Sequence, residues 1–150
     1  MKTLRIVALA TVGLFFAAQA AADLEVYKDY DLGTEIISMT TIKVDANMGD
    51  LYLEGLKETW VASNEVAKSL GHIENYRIFG SELPESGDFN LVLLVYFKNA
   101  ADLEPSKRRY NAFMKKWGEK AQESAREISS EYPKVRTITG EYRLREIMLK

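Results

Sequence analysis

The sequence predicts an α+β fold in which an antiparallel sheet carries both helices on one face. Three observations support this fold: four segments typical of strands, two long segments with apolar residues at helical spacing, and their order along the chain. That order is βαβ followed by a second βαβ, which is typical of a ferredoxin-like sandwich.

The first half of the fold is predicted from periodicity and turn residues. Strand one is expected over residues 35–44, which are rich in β-branched side chains. Residues 45–50 supply capping side chains, and apolar positions then recur every three or four residues until Gly71, which ends the first helix. Strand two is predicted over Ile73–Phe79, and residues 83–88 have turn chemistry.

The second half repeats this order. Strand three, Phe89–Phe97, is almost wholly apolar, as expected of a strand that is covered on both faces. One long helix is predicted over residues 106–132 with Gly118 tolerated inside it, followed by strand four over about Val135–Leu149, bent at Gly140. Because the helices cover only one face of the sheet, a second copy is predicted to cover the other and close a dimeric barrel.

The start of the chain predicts export. The first five residues contain two basic side chains, Lys2 and Arg5, and no acidic one. The apolar stretch that follows, Ile6–Ala18, is shorter than the roughly 20 residues needed to span a bilayer. Small residues then offer cleavage before Ala21 or before Asp23, and we favour Asp23. A cleavable signal peptide is therefore expected. The expected location of the protein is the periplasm, with secretion further out as an alternative.

The rest of the chain is expected to be an extended lead-in over residues 23–34 and one domain over residues 35–150. The sequence contains no cysteine, which excludes disulfides, thiol catalysis and an N-terminal lipid anchor. Removing the signal peptide leaves 18 basic against 22 acidic residues, or a net charge of about −4. Nucleic acid is therefore not an expected partner, and neither is a membrane after cleavage.

With these elements in place, the chain resembles the dimeric α+β barrel superfamily, whose fold is ferredoxin-like and antibiotic-monooxygenase-like, and especially its small secreted members of unknown function. The resemblance is carried by Leu56–Trp60, the exit at Gly71 into Ile73–Tyr76, the strand Asn90–Phe97 and the ending Leu144–Ile147. The superfamily includes cofactor-independent monooxygenases, haem-degrading enzymes, isomerases and members without known activity. The resemblance therefore implies a fold and a dimer but no single function.

Six residues are candidates for a ligand site. Trp60 lies on an apolar helix face and suits either the core or a pocket wall. His72, the only histidine, follows a helix-ending glycine, where contact with terminal carbonyls is the simpler interpretation. Arg145 interrupts the last strand and suits edge protection, an interface ion pair or anion binding. The candidate residues are Trp60, Asn64, His72, Tyr76, Tyr96 and Arg145.

The leading hypothesis for function is a homodimer that binds a small apolar ligand between the helices and the sheet. One alternative is a cofactor-independent monooxygenase-like or isomerase-like enzyme, and another is a purely structural or interaction module. The sequence predicts no cofactor and no metal site, and it identifies no set of catalytic residues.

Overall fold

A computed structural model describes residues 23–150 of the chain, so the predicted signal peptide lies outside the described residues. The regular elements are β1 (Tyr30–Leu32), β2 (Ile36–Val44), α1 (Gly49–Leu56), a π-helical turn (Lys57–Val61), α2 (Ala62–Ser69), β3 (Asn75–Gly80), β4 (Leu91–Phe97), a 3₁₀ turn (Ala100–Leu103), α3 (Lys107–Trp117), α4 (Glu119–Ser130), a 3₁₀ turn (Tyr132–Lys134), β5 (Arg136–Leu144) and β6 (Ile147–Leu149). None of the helices in residues 23–150 is long and apolar enough to cross a membrane.

The main sheet has four strands in the order β3-β4-β2-β5, and every neighbouring pair is antiparallel. The two outer strands are the second and fourth of the sheet in chain order, and a helical segment precedes each of them. This arrangement is the ferredoxin-like α+β fold that the element order predicts.

The core lies between the sheet and the helices. In the sheet, Ile42 is paired with Leu91, and both side chains are buried on the face that the helices cover. From α1, Tyr52 and Leu56 pack onto them at 1% and 2% exposure. These two helical residues are four apart and therefore share one face of the helix, which explains how a single stripe of α1 fills the core.

The first helix continues from α1 into α2, as the prediction of one helix ending at Gly71 requires, but the periodicity does not reveal the π-helical turn between them. Inside it, the Thr59 hydroxyl donates a hydrogen bond to the Gly55 carbonyl at 2.9 Å. The helix ends as predicted: Gly71 has a φ of +66°, and its N–H donates to the Lys68 carbonyl while the His72 N–H donates to the Ala67 carbonyl. This pair of bonds is a Schellman motif.

The prediction of a single second helix is wrong, because the chain breaks at Gly118 into α3 and α4. Gly118 has φ +83° and ψ 153°, a conformation that is essentially restricted to glycine. The Gly118 N–H still donates to the Met114 carbonyl, so α3 ends with its last bond made. Apolar spacing continues across Gly118, and periodicity alone could not show that the backbone changes direction there.

The prediction of one strand over Val135–Leu149 is also wrong at its end. β5 stops at Leu144, and β6 instead pairs with β1 in a separate two-stranded ribbon. The chain is held at this junction by the Arg145 guanidinium, which donates to the Gly33 carbonyl at 3.1 Å, and by the Gly33 N–H, which donates to the Glu146 carbonyl at 2.9 Å. These bonds satisfy the backbone where β5 leaves the sheet.

The predicted bend at Gly140 coincides with an irregularity in the sheet. Thr41 is paired with Gly140 and the next residue, Ile42, with Ile138, so Thr139 is an extra residue in β5 and forms a β-bulge. The ring of Tyr142 occupies the space that a Cβ atom at Gly140 would need, at 2.5 Å. Glycine is therefore required by this close approach of a side chain.

The face of the sheet opposite the helices is uncovered within the chain, and we call it the open face. Its side chains are those that alternate with the core residues along each strand. Most are apolar, and none of the apolar ones is fully buried. The apolar members of the open face are Ile37, Met39, Phe79, Val92, Leu94, Tyr96, Tyr142 and Leu144.

Candidate functional site

A groove of about 580 Å³ runs between the first helix and the pair formed by α3 and α4, on the helix side of the molecule. We call it the helical groove. Its volume falls in the range of small-molecule sites, roughly 300–1,000 Å³. The groove is lined by Thr59, Trp60, Ser63, Phe113, Met114, Trp117, Gln122, Ala125, Arg126, Ser129, Tyr132 and Arg136.

Aromatic rings form much of the wall. The rings of Phe113 and Trp117, one turn apart on α3, are stacked with centroids 6.0 Å apart. Trp60, in the π-helical turn, approaches from the opposite side, and its ring meets Tyr76 edge to face at 5.3 Å. Insertions that create π-helical turns are frequent at functional sites because they re-aim the side chains of a helix.

The base of the groove is a small polar cluster within the core. The hydroxyls of Thr59 and Tyr132 are 2.5 Å apart and share a hydrogen bond, and both residues are buried. Burial raises the pKa of Tyr132 and that of its neighbour Tyr52, whose ring meets the Tyr132 ring edge to face at 5.0 Å. Gly55 makes the packing possible, since a Cβ atom there would lie 2.9 Å from the Tyr132 ring.

Two arginines give the groove its charge. The Arg136 guanidinium lies over the rings of Tyr132 and Tyr52, at 5.6 and 5.9 Å from their centroids. Its Nε is buried and has no hydrogen-bond partner among the described residues. Arg126 on α4 lines the groove as well. No aspartate or glutamate belongs to the lining, so the groove is positively charged.

Three of the sequence-predicted residues lie near one another beside this groove. Trp60 lines it, and Tyr76 supports the Trp60 ring from β3. The Asn64 side chain donates to the Trp60 carbonyl at 2.7 Å, and the Ser63 hydroxyl donates to the same oxygen at 3.0 Å. Asn64 therefore satisfies the backbone of the π-helical turn with one N–H of its side-chain amide.

The hydroxyl group of Tyr76 is also engaged in a hydrogen bond within the chain. Its hydroxyl donates a hydrogen bond to the Glu65 carboxylate at 2.5 Å. This bond stabilises the protonated phenol and, together with burial and the negative charge of Glu65, raises the pKa of Tyr76 to about 12. Tyr76 therefore stays protonated at neutral pH and acts as a donor toward Glu65.

His72 is positioned elsewhere, by the end of the first helix. Its backbone carbonyl accepts a hydrogen bond of 2.6 Å from the Arg109 guanidinium, which also binds Asp102. Burial and the charges of Arg109 and Arg108 lower the pKa of the His72 imidazole. His72 does not belong to the lining of the helical groove.

The remaining two candidates lie outside the helical groove as well. Tyr96 is on the open face, and the Arg77 guanidinium lies 5.6 Å from its ring centroid. Arg145 binds the Gly33 carbonyl at the start of the terminal ribbon. The six residues thus divide between the helical groove, a helix end, the open face and the ribbon junction.

The sequence patterns missed the two arginines of the groove. Arg136 is the first residue of β5. It is paired with the buried Val44 of β2 and therefore belongs to the covered face of the sheet. A basic residue at a core-facing strand position is unusual, so Arg136 could have been recognised from the sequence as a candidate site residue. Arg126 could not have been recognised in this way, because it is one of several charged residues on α4. Trp117 was recognisable as the counterpart of Trp60 in the repeated half.

Two other cavities are less suitable than the helical groove as sites for a small apolar ligand. One, of about 450 Å³, lies beside Tyr52 and Tyr132 and includes three acidic residues, Glu54, Glu58 and Glu131, without a basic one. Another, of about 460 Å³, lies at the end of β2, between the start of α1 and residues 84 and 85 of the loop after β3. Over residues 23–150, no group of three or more metal-ligating side chains comes together.

Comparisons with known proteins give a likeness in fold only. No family model and no curated protein sequence matches the chain. A crystal structure described as a dimeric ferredoxin-like protein of unknown function from Thermobifida fusca has 9% identity, with 77% of this chain and 92% of that chain covered and a TM-score of 0.39. Another dimeric ferredoxin-like protein, from an uncultured marine organism, has 11% identity, 79% and 90% coverage and a TM-score of 0.41.

Proposed function

We propose that this protein is an exported homodimer that binds a small apolar ligand in the helical groove. Ligand binding is inferred from the aromatic wall formed by Trp60, Phe113 and Trp117, which lines a groove of suitable volume. Rings such as these bind apolar ligands by removing their surface from water.

The dimer is supported by the open face. Leu94 lies at its centre on β4, between Met39 on β2 and Arg77 on β3. The surrounding positions are mostly apolar, and a contiguous patch of this kind is unusual on the free surface of a monomer. A second copy that packs its own open face against this one would bury both patches, as a two-fold symmetric interface requires.

The dimer is tested by light scattering of the purified protein at micromolar concentration, where two copies per particle are expected. Leu94→Lys places a charge inside the interface and should weaken association at least about tenfold. Leu83→Lys is the matched control, because Leu83 is 71% exposed in a turn outside the sheet. A monomeric wild-type protein, or equal effects of the two variants, would contradict a dimer formed through the open face.

Ligand binding is tested through the two tryptophans of the chain, Trp60 and Trp117, because both line the groove and report on it by fluorescence. The probe is 2-naphthamide, a neutral aromatic compound, titrated while tryptophan emission is recorded and repeated by calorimetry. Ala125→Phe, which adds bulk to the groove lining, should weaken binding about tenfold or more.

Ser124→Phe is the control for this variant, since Ser124 precedes Ala125 on α4, is exposed and does not belong to the lining. Binding that responds equally to both variants would place the probe outside the groove. No binding of the probe at all would favour the purely structural or interaction module instead.

Export is supported by the charge and apolar pattern of residues 1–22. Expression of the full chain in a Gram-negative host, followed by fractionation and mass spectrometry, tests it. The protein is expected in the periplasmic fraction with Asp23, or secondarily Ala21, as its first residue. A cytoplasmic protein that retains Met1–Ala22 would contradict this part of the proposal.

A further inference from the structure

The helical groove carries a charge opposite to that of the protein as a whole. The complete chain has 22 acidic and 20 basic residues, yet the groove lining contains two arginines and no acid. The described residues form four salt bridges, and neither Arg126 nor Arg136 takes part in any of them. Two guanidinium groups without a carboxylate partner therefore share one groove.

The hydroxyl groups of the lining are already engaged within the chain. The Ser63 hydroxyl donates to the Trp60 carbonyl at 3.0 Å, and the Ser129 hydroxyl donates to the Arg126 carbonyl at 3.2 Å. Thr59 is bound to the Gly55 carbonyl and to Tyr132. The guanidinium groups are the charged donors of the lining, beside the neutral Gln122 amide and the indole N–H groups of the two tryptophans.

These features select the chemistry of the ligand. An apolar ring fits the stacked wall of Phe113 and Trp117, while a planar oxyanion matches the fork of an arginine side chain better than any neutral group does. A cationic ligand would find no carboxylate in the lining. A ligand without charge would leave both guanidinium groups unpaired.

We propose that the ligand of the helical groove is an aromatic carboxylate, whose ring lies against the aromatic wall and whose carboxylate pairs with Arg126 and Arg136. This inference rests on the proposed function and goes beyond it by assigning the ligand an acidic group and the two arginines a binding role. Both guanidiniums then acquire the counter-charge that the protein itself does not supply.

The test compares 2-naphthoate with 2-naphthamide, which have similar size and differ mainly in charge, on the full-length mature protein. Tryptophan fluorescence and calorimetry are the readouts. The carboxylate is expected to bind about tenfold more tightly, the order of one charge-assisted hydrogen bond. Arg126→Gln should remove most of that preference, so that 2-naphthoate and 2-naphthamide bind with similar affinity.

Arg136 lies close to the core, so two variants are used there. Arg136→Gln removes the charge, and Arg136→Lys keeps the charge but not the fork that matches a carboxylate. Circular dichroism selects the variants that fold, and both should lose preference for 2-naphthoate, Arg136→Gln more than Arg136→Lys. Arg108→Gln is the control: Arg108 is exposed on α3 and outside the lining, so the preference should persist.

The outcomes separate this inference from the proposed function. Equal affinities for the two probes, or a preference that survives Arg126→Gln, would overturn the inference and leave the apolar ligand site standing. Loss of the preference in Arg108→Gln to the same extent would also overturn it, because a general attraction of charge would then be sufficient. Binding of neither probe would remove the ligand site and the inference together.

Discussion

The two faces of the sheet are similar in sequence and different in structure. On the covered face, Leu91 and Leu93 are at 6% and 7% exposure beneath the helices, while the residues that alternate with them, Val92 and Leu94, remain half-buried on the open face. Both sets are aliphatic, so side-chain type alone does not distinguish them. Apolar residues therefore indicate which faces of the sheet must be buried, while the position of the helices determines which face is buried within the chain.

The largest expected difference between the faces is in the cost of truncating a leucine. Leu56→Ala on the covered side removes a side chain that is 2% exposed and should lower the free energy of unfolding by about 2–5 kcal/mol. Leu94→Ala on the open face should cost less than about 1 kcal/mol when measured at concentrations at which the protein is monomeric. Urea unfolding measures both, and equal costs would show that the open face is already packed in the monomer.

The covered face also depends on the break between α3 and α4. Gly118→Ala puts a Cβ atom on a residue with φ +83° and should cost about 1–3 kcal/mol. Gly80→Ala, in β3, is the control, because a Cβ atom there meets nothing within 4 Å and the φ angle is ordinary. Thermal unfolding of the two variants is the measurement, and a smaller loss for Gly118→Ala than for Gly80→Ala would contradict the role of this break.

A smaller effect is expected from the hydroxyl groups of tyrosines on the two faces. Tyr132→Phe removes the hydrogen bond to Thr59 in the core and should cost about 1 kcal/mol. Tyr142→Phe on the open face removes a hydroxyl from a residue that is 49% exposed and should change stability by less than about 0.5 kcal/mol. If Tyr142→Phe were the more costly variant, the polar cluster under the helical groove would not contribute to the fold.

The smallest expected effect is a dependence on alkaline pH. The pKa of Tyr76 rises from about 10 in the unfolded chain to about 12 in the folded protein, so its contribution to stability is complete below pH 10 and is lost as the pH rises toward 12. Absorbance of tyrosinate near 295 nm should show a late step due to Tyr76, which disappears in Tyr76→Phe while the late titration of the buried Tyr52 and Tyr132 remains.

Glu65→Gln separates the cause of this shift. The variant removes the carboxylate that accepts the Tyr76 hydrogen bond, so the late step should move to lower pH while Tyr76 remains in place. An unchanged titration in Glu65→Gln would attribute the raised pKa of Tyr76 to burial instead.

Much of the candidate site could not be predicted from the sequence. Trp60 was recognisable because it lies on the apolar stripe of the first helix, and it does line the helical groove. Asn64 was recognised as polar on that helix, but its bond to the Trp60 carbonyl depends on a π-helical turn that apolar spacing does not report. Arg126 and Arg136 line the same groove although they lie on α4 and β5, and no local sequence pattern predicts that these two elements bring them together there.

Local sequence patterns predict the ferredoxin-like order of strands and helices, the helix end at Gly71 and the irregularity at Gly140, because periodicity and glycine act locally. The complete fold is needed to show that α3 and α4 separate at Gly118, that β6 leaves the sheet, and that two tryptophans and two arginines line one groove. Those features depend on contacts between residues far apart in the chain, and local preference gives way to packing at such places.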